Sequence, residues 1–581
     1  SVVTGNAMNS LECAAFDVLD YALLGAPGAP LKKALLDAEI GSDVYGSYED
    51  GIRQTYFDVI AKGADPSRKE EFVSIIRRVR TEIVQNGIDP KALEAGINCM
   101  EFRYREADFS SYPKGLIYGL DILDNWLYDD EHPFAQVQLI PVFDELKELK
   151  NQRYFEGLIQ KYLLDNTHGA VVAVVPKKGL NKVREEALAE KLAAYKATLS
   201  PQEIKKLVEQ THHLHKYQEE PSADEDLRKI PMLGRKDMRK EAMPFHNEEM
   251  QAGNIPVVMH EIATNGIDYI TMMFECGDIP QEDIPYLGLL RSVLGYVNTS
   301  NYEYADLANA INIYTGGISS GISVYPDLQK TGSVCVKYEV RIKVLENNLK
   351  DAMALVDEIL TTSDLEDTKR LGEIIAQVKS RLQVNLSSSG NVVAAMRALS
   401  YQSRYAFYQD ATLGIAYYKL IQKLDEQMKT DPEQIVDKLR ALVAKVFVQN
   451  RLLVSFTGKK AAYEKAQPLL VQYFEKLPEG TNAGDMATIQ LSKKNEGFMD
   501  ASQIQYVARG GNFKNHGYTY NGTLKILKMI LSYEYLWINI RVKGGAYGCM
   551  SSFLRTGESY FVSYRDPNLG KTNEIYEKIP E

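Results

Sequence analysis

One order of segments occurs three times in this chain, and a sequence that repeats itself builds the same unit more than once. Near the start, "AAFDVLDYALLGAPGAPLKKALLD" reads as helix, break, helix, and "VYGSYEDGIRQTYFDVIAKGADP" then crosses a polar turn into a strand. After Pro66 the spacing of Phe72, Ile75, Ile76, Val79 and Ile83 predicts a helix with one apolar face. Gly87 is expected to end it, and a second helix to begin near Pro90. In the second copy Val334, Val336, Tyr338 and Val340 alternate as a half-buried strand. Leu345, Leu349, Met353, Val356 and Leu360 then make a helical stripe, and Ser363 to Glu366 ("SDLE") reads as a capping box for the next helix. The third copy opens with "GTLKILKMILSYEYLW", bearing Leu524, Leu527 and Leu531, and closes with "SYFVSYRDPNLGKTNEIYEKI". Its "DPN" at Asp566 echoes "DPS" at Asp65, each expected to end a strand and launch a helix. The first copy continues to about residue 175 whereas the third stops at Glu581, so the chain reads as a fragment lacking about 95 residues of its last domain.

Between the first two copies the texture changes. "LNKVREEALAEKLAAYKATL" is rich in good helix formers. "SPQEIKKLVEQTHHLHKY" restarts with a capping box, Ser200 to Glu203, and Pro201 at the first helical position. Residues 176–235 therefore read as an antiparallel helical hairpin acting as a linker. Beyond it, "GNIPVVMHEIATNGIDYITMMFECG" gives two strand-like runs around Asn265-Gly266, a type I′ hairpin signal. The repeated unit is α+β, antiparallel strands with helices packed on one face.

A net charge of −11 argues against nucleic acid as a partner and is compatible with basic ones. No apolar run is long enough to span a bilayer, so no membrane insertion is expected. Cys13, Cys99, Cys276, Cys335 and Cys549 form no CxxC pair and read as scattered thiols of a reducing compartment.

The metal candidates fail on spacing. His212 and His215 share a helix face, but His213 points elsewhere, so one helix cannot offer all three to one ion. "HEIAT" at His260 has Thr264 where the second histidine of HExxH must stand, and it lies in a strand pattern. The only anchor for HxxEH, Glu131-His132, has Tyr128 in the first ligand position and Pro133 directly after it. No G-x-S-x-G occurs, and "YTGGISSG" (Gly316, Gly317, Gly321) lacks the lysine of a phosphate loop, leaving a turn between helix and strand.

The stretch "LWINIRVKGGAYGCMSSF" (536–553) is different. A helix precedes its glycines and a strand follows, the reverse of a dinucleotide fingerprint. Gly544 and Gly545 allow a sharp turn or close approach to a ligand, with Arg541 and Tyr547 projecting donors toward one spot. Two donors aimed at a carbonyl oxygen suit a substrate clamp or oxyanion stabiliser. The plainer alternative is an arginine satisfying helix C-terminal carbonyls and a tyrosine on a sheet face.

With that stretch, with "NSLECAAFDVLDYALLGAPGAPLKKALLD" and with the helical linker, the chain resembles the pitrilysin/insulinase-type zinc metallopeptidases, specifically the presequence protease branch. The resemblance implies two halves joined by the hairpin, each of two homologous domains, enclosing peptides or unfolded segments. It places the second domain at 1–175, the linker at 176–235, a degenerate third domain at 236–478 and a truncated fourth at 479–581. It implies that the family's zinc ligands, HxxEH plus a downstream glutamate, belong to a first domain outside this chain, on the same protein or on a catalytic partner chain. No metal is then expected here, and the chain alone is expected not to hydrolyse peptides. In the third domain Leu287, Leu290 and Arg291 stand where the motif's His, Glu and His would be. Arg541 and Tyr547 match the family's substrate-contacting pair, with Gly544 and Gly545 between them. The implied function is that of the substrate-enclosing, non-zinc portion of a zinc metalloendopeptidase acting on peptides or unfolded segments. The acidic balance, not the resemblance, favours basic peptides, and an intracellular address is expected, cytoplasmic in a bacterium or an organelle matrix in a eukaryote. The alternative is a non-catalytic peptide-binding or scaffold partner subunit.

Overall fold

A computed structural model describes residues 1–26, 28–264, 266–499 and 502–581. They form two compact units, one of Ser1–Ala170 with His246–Glu581 and the other of Val171–Phe245.

In the larger unit the sequence repeat appears as a repeated strand order. The first sheet is formed by β1 (Val2–Val3), β2 (Asp43–Glu49) and β3 (Tyr56–Lys62), arranged β1-β3-β2. The central sheet holds β4 (Asn247–Ala252), β5 (Ile255–Glu261), β6 (Ile267–Glu275), β7 (Gly317–Pro326), β8 (Val334–Leu345) and β9 (Leu452–Gly458), in the order β4-β5-β9-β6-β8-β7. The third sheet is formed by β10 (Ala508–Asn512), β11 (Gly548–Phe553) and β12 (Glu558–Tyr564), arranged β10-β12-β11. Thus β1-β3-β2, β6-β8-β7 and β10-β12-β11 are the same antiparallel arrangement. Each time the last strand enters the middle, and helix fills the gap between the first strand and the second. The class is α+β, as expected.

Local chemistry explains the elements. In the first copy α1 (Ser10–Asp20) is capped by Asn9, runs into a π-helical turn at Tyr21–Gly25, and is followed by α2 (Pro30–Asp37) with proline at its start. α3 (Lys69–Asn86) buries Ile75, Ile76, Val79 and Ile83 and ends at Gly87, whose φ of +93° suits glycine. α4 (Pro90–Glu106) begins under an Asp89 cap. After it, α5 (Lys114–Trp126) buries only Asn125. The two "DP" turns do the same work: Asp65 Oδ1 accepts from Ser67 N–H at 2.9 Å and Asp566 Oδ1 from Asn568 N–H at 2.8 Å. The first core gathers Phe16, Leu19, Leu23, Phe57 and Phe155, the central one Phe274, Tyr338, Phe456 and Tyr463. Across them, Lys343 Nζ lies 2.8 Å from Glu106 Oε1, and Asn312 bonds the Tyr21 hydroxyl.

Several expectations need correction. Leu345 ends β8 and is exposed, because the strand runs five residues beyond the alternating stretch that ends at Val340; the helix begins at Leu349. The "SDLE" capping box does not form. Ser363 Oγ donates back to the Ile359 carbonyl, and Asp367 caps the next helix by accepting from Arg370 N–H. In the third copy Leu524 is half-buried, Leu527 exposed and Leu531 buried, so that stripe does not face a core along its length. Asn265 lies outside the described residues, but β5 and β6 are not hairpin partners. β9 stands between them, parallel to β5 and antiparallel to β6. The tight hairpin lies one strand earlier, where Ala252 pairs with Ile255 around Gly253-Asn254 and Gly253 has φ +62°. Gly-Asn is itself a two-residue hairpin signal.

The smaller unit contains helices Leu180–Thr198 and Pro201–Glu219, neither of which buries a residue. The predicted capping box is present: Ser200 Oγ accepts from Glu203 N–H, and Glu203 Oε2 accepts from Ser200 N–H at 2.7 Å. Among the described residues no helix is long and apolar enough to cross a membrane.

Candidate functional site

The site stretch begins as helix Thr523–Ile530, which widens into a π-helical segment, Leu531–Val542, with Arg541 in its last turn. The chain then reverses within a few residues to enter β11. Gly545, at φ +80°, donates its N–H to the Arg541 carbonyl at 2.9 Å, and Ala546 N–H reaches the Ile540 carbonyl at 3.1 Å. A Cβ on Gly544 would stand 2.5 Å from the Ile540 carbonyl oxygen, so that position admits no side chain without movement. Both glycines are therefore backbone requirements of the turn. Asn568 of the "DPN" turn donates its amide to the Gly544 carbonyl at 2.6 Å, and Asp566, fully buried, holds that turn through Asn568 N–H and the Thr572 hydroxyl. Two segments that looked independent in sequence thus brace each other.

This frame brings Arg541 and Tyr547 together. The guanidinium carbon lies 4.3 Å from the centroid of the Trp537 ring and 5.2 Å from that of Tyr547, a cation held between two aromatic faces. A guanidinium N–H also donates to the Tyr547 carbonyl. Backbone N–H groups of Lys543, Gly545 and Ala546 take the carbonyls of Ile538, Arg541 and Ile540, and the guanidinium donates to Tyr547 rather than to the helix's last carbonyls. Tyr547 N–H bonds the Tyr564 carbonyl at 3.0 Å, and its ring meets Tyr564 edge-on at 5.8 Å. The Tyr547 side chain is nevertheless 64% exposed, and its hydroxyl has no hydrogen-bond partner among the described residues. A phenol and a guanidinium with N–H groups to spare, both fixed at the base and open at the tip, can bind a carbonyl or carboxylate oxygen. Trp537, Tyr564 and Asn568 were not legible as supports. The "DPN" echo was the one available signal for Asn568.

The rejected candidates sit as their spacing suggests. His260 lies in β5, its ring bonded to Asn247 at 2.7 Å and Ser455 at 3.1 Å. His212, His213 and His215 are exposed on one helix. His132 pairs with Asp129 at 2.9 Å. Gly316 precedes β7, where a Cβ would collide with the Phe102 ring. Leu287 and Leu290 are fully buried, and Arg291 follows on the same helix. Among the described residues no group of three or more His, Cys, Asp or Glu is placed to hold a metal ion.

Two family models match the chain: that of the domain associated with subfamily C of the M16 peptidases, over residues 174–424, and "PreP C-terminal domain", over residues 495–580. Protein HypA of Clostridium perfringens is 38% identical over 579 residues, covering 100% of this chain and 59% of that protein. Presequence protease 1, chloroplastic/mitochondrial, of Arabidopsis thaliana is 28% identical over 576 residues, covering 97% of this chain and 53% of that protein. The mitochondrial presequence protease of Xenopus laevis is 24% identical over 614 residues, with 99% of this chain and 58% of that protein covered. The chain thus spans between half and three-fifths of the length of these relatives. By both family models and the relatives aligned along its whole length, the chain belongs to the presequence protease branch of the pitrilysin/insulinase-type metallopeptidases.

Proposed function

We propose that this chain is the substrate-holding, non-zinc portion of a zinc metalloendopeptidase that degrades peptides or unfolded segments. The observation that carries the reading is the Arg541–Tyr547 pair, braced from below by Trp537 and Asn568 and open at its polar tips. Arg541 and Tyr547 would donate to the carbonyl oxygen of a bound peptide and to the negative charge that gathers on it during cleavage. Donors fixed before the substrate arrives cost no reorganisation at the moment of reaction.

The residues of this chain do not fit a zinc ion. Leu287 and Leu290 have no donor atom, Arg291 stays protonated, and HxxEH occurs nowhere in the 581 residues. No catalytic step is therefore assigned to a metal on this chain. In this reading a first domain with the family's motif supplies it, on the same protein or a partner chain. The net charge of −11 favours basic peptides, and the organellar names of the plant and frog relatives fit an intracellular address.

The test is peptide hydrolysis with added zinc, comparing the 581-residue chain with a protein of the relatives' length that carries HxxEH. Turnover only in the longer protein is expected. Turnover by the shorter chain itself would overturn the reading. A longer protein that binds peptide without cutting it would favour the partner-subunit alternative.

A further inference from the structure

His260 fails as a zinc ligand, but its two ring bonds join three strands of the central sheet into one line. Along β5, β6 and β9 the side chains alternate between two faces. Val257, Met259, Ile270, Met272, Val454 and Phe456 belong to the central core. His260, Thr271, Ser455 and Thr457 therefore lie on the opposite face, and all four are half-buried rather than sealed. Asn247, on β4, stands directly opposite His260 and is exposed. Ser455, on β9, is opposite Val258, two residues before His260.

The bonds have a direction. Asn247 Oδ1 lies 2.7 Å from His260 Nδ1, and Ser455 Oγ lies 3.1 Å from His260 Nε2. An amide oxygen only accepts, so Nδ1 carries the proton and donates it to Asn247. Nε2 is left as the acceptor, and the Ser455 hydroxyl donates to it. A hydroxyl bonded to a base, with the base turned by a third group, is the arrangement that makes a serine nucleophilic. Positions 247, 260 and 455 are far apart in the chain, so no local motif marks them. The surrounding donors limit the chemistry. β9 is paired on both sides, with β5 and β6, so its backbone N–H groups are taken up by the ladders and cannot receive an oxyanion. What stands beside Ser455 instead are two hydroxyls, that of Thr271 directly opposite and that of Thr457 two residues on. Neither has a hydrogen-bond partner among the described residues. Two hydroxyl donors suit an ester with a good leaving group and not an amide, whose nitrogen must also be protonated to depart.

We infer that Ser455, His260 and Asn247 form a second, nucleophilic site on this chain, one that takes the acyl group of activated esters. The Ser455 oxygen bonds to the acyl carbon and the ester C–O bond breaks. His260 Nε2 takes the hydroxyl proton and passes it to the departing alkoxide or phenoxide. Water then attacks the acyl-serine, His260 takes the water proton, and the Ser455 oxygen recovers a proton from it as the carboxylic acid leaves. Asn247 is a positioning residue, holding the imidazole in the tautomer that accepts from Ser455. The inference goes beyond the peptide-holding reading and uses neither Arg541 nor Tyr547.

The test is covalent labelling of the 581-residue chain with an alkyl fluorophosphonate, whose phosphorus a nucleophilic serine attacks with loss of fluoride, followed by mass mapping of the adduct. One adduct, on Ser455, is expected, and none in Ser455→Ala. His260→Gln should slow the labelling by about 100-fold or more. Asn247→Leu should slow it by about tenfold or more, whereas Asn247→Asp, which still offers Nδ1 an oxygen, should restore it. Asn247 is exposed and Ser455→Ala removes one atom, so these variants should melt as the wild type does. With p-nitrophenyl acetate, the wild type should show turnover that a metal chelator leaves unchanged and that Ser455→Ala loses. No adduct at all, an adduct elsewhere with Ser455 unmodified, or equal labelling of the wild type and His260→Gln would each overturn the inference. The two readings fail separately. A chelator that stops peptide turnover by a protein of the relatives' length should leave the labelling intact, and absence of labelling leaves Arg541 and Tyr547 untouched.

Discussion

The first and third copies of the repeat put helix at the same point of the same three-stranded arrangement and treat it in opposite ways. In the first, α1 and its π-helical extension bury Phe16, Val18, Leu19, Leu23 and Leu24. In the third, Ile526, Met529, Ile530 and Tyr533 are exposed, and Leu531, Leu536 and Ile540 alone are buried along the π-helical segment. The buried helix is held by packing, so its residues are explained by volume and apolarity. The exposed helix is held at its end by a glycine turn, an asparagine brace and a stacked arginine, all polar or backbone devices. Rigidity without burial is what a binding group needs, since a side chain sealed in a core cannot meet a ligand.

The comparison breaks most readily at Phe16. Its ring stacks on Tyr48 at 5.2 Å and is fully buried, so Phe16→Ala should cost about 3–5 kcal/mol in urea unfolding. A cost below about 1 kcal/mol would mean that α1 is no better packed than its counterpart.

Asp17 on α1 gives a smaller effect with a definite sign. Burial, then the charges of Asp50 and Asp20, push its carboxyl up to about 7, against a small opposing pull from Arg103. The folded chain then holds a proton that the unfolded chain releases near pH 4, so stability falls as pH rises from about 4 to about 7. From about pH 5.5 to about pH 8 the wild type should lose about 1–2 kcal/mol relative to Asp17→Asn in thermal unfolding. Parallel pH profiles for the two proteins would contradict the placement of Asp17.

In the third copy Gly545→Ala forces a Cβ onto a backbone at φ +80° and should cost about 1 kcal/mol, measured by the same unfolding. Last, Ile526→Ser on the exposed helix should change stability by less than about 0.5 kcal/mol. A loss like that of Phe16→Ala would erase the contrast between the two copies.

Much of this was legible in sequence where one local force decides. The apolar spacing of α3, the alternation of β8, the Ser200 capping box and the paired "DP" turns all follow from short-range periodicity or capping. What was not legible depends on segments far apart in the chain. β9 enters between β5 and β6 from a distant part of the sequence, and no local pattern announces it. Ser363 and Asp367 competed for one helix start, and propensity alone does not choose between two good caps. At the site, glycines and the Arg/Tyr pair could be picked out by residue type. The Trp537 stack and the Asn568 brace required the fold, because each acts through a neighbour rather than on a ligand.

The most direct test of the central claim is the turnover of a peptide by a protein of the relatives' length carrying Arg541→Ala or Tyr547→Phe. A loss of about 100-fold or more in kcat is expected for a donor that stabilises charge in the transition state. Turnover unchanged in both variants would contradict the assignment of this pair to the substrate.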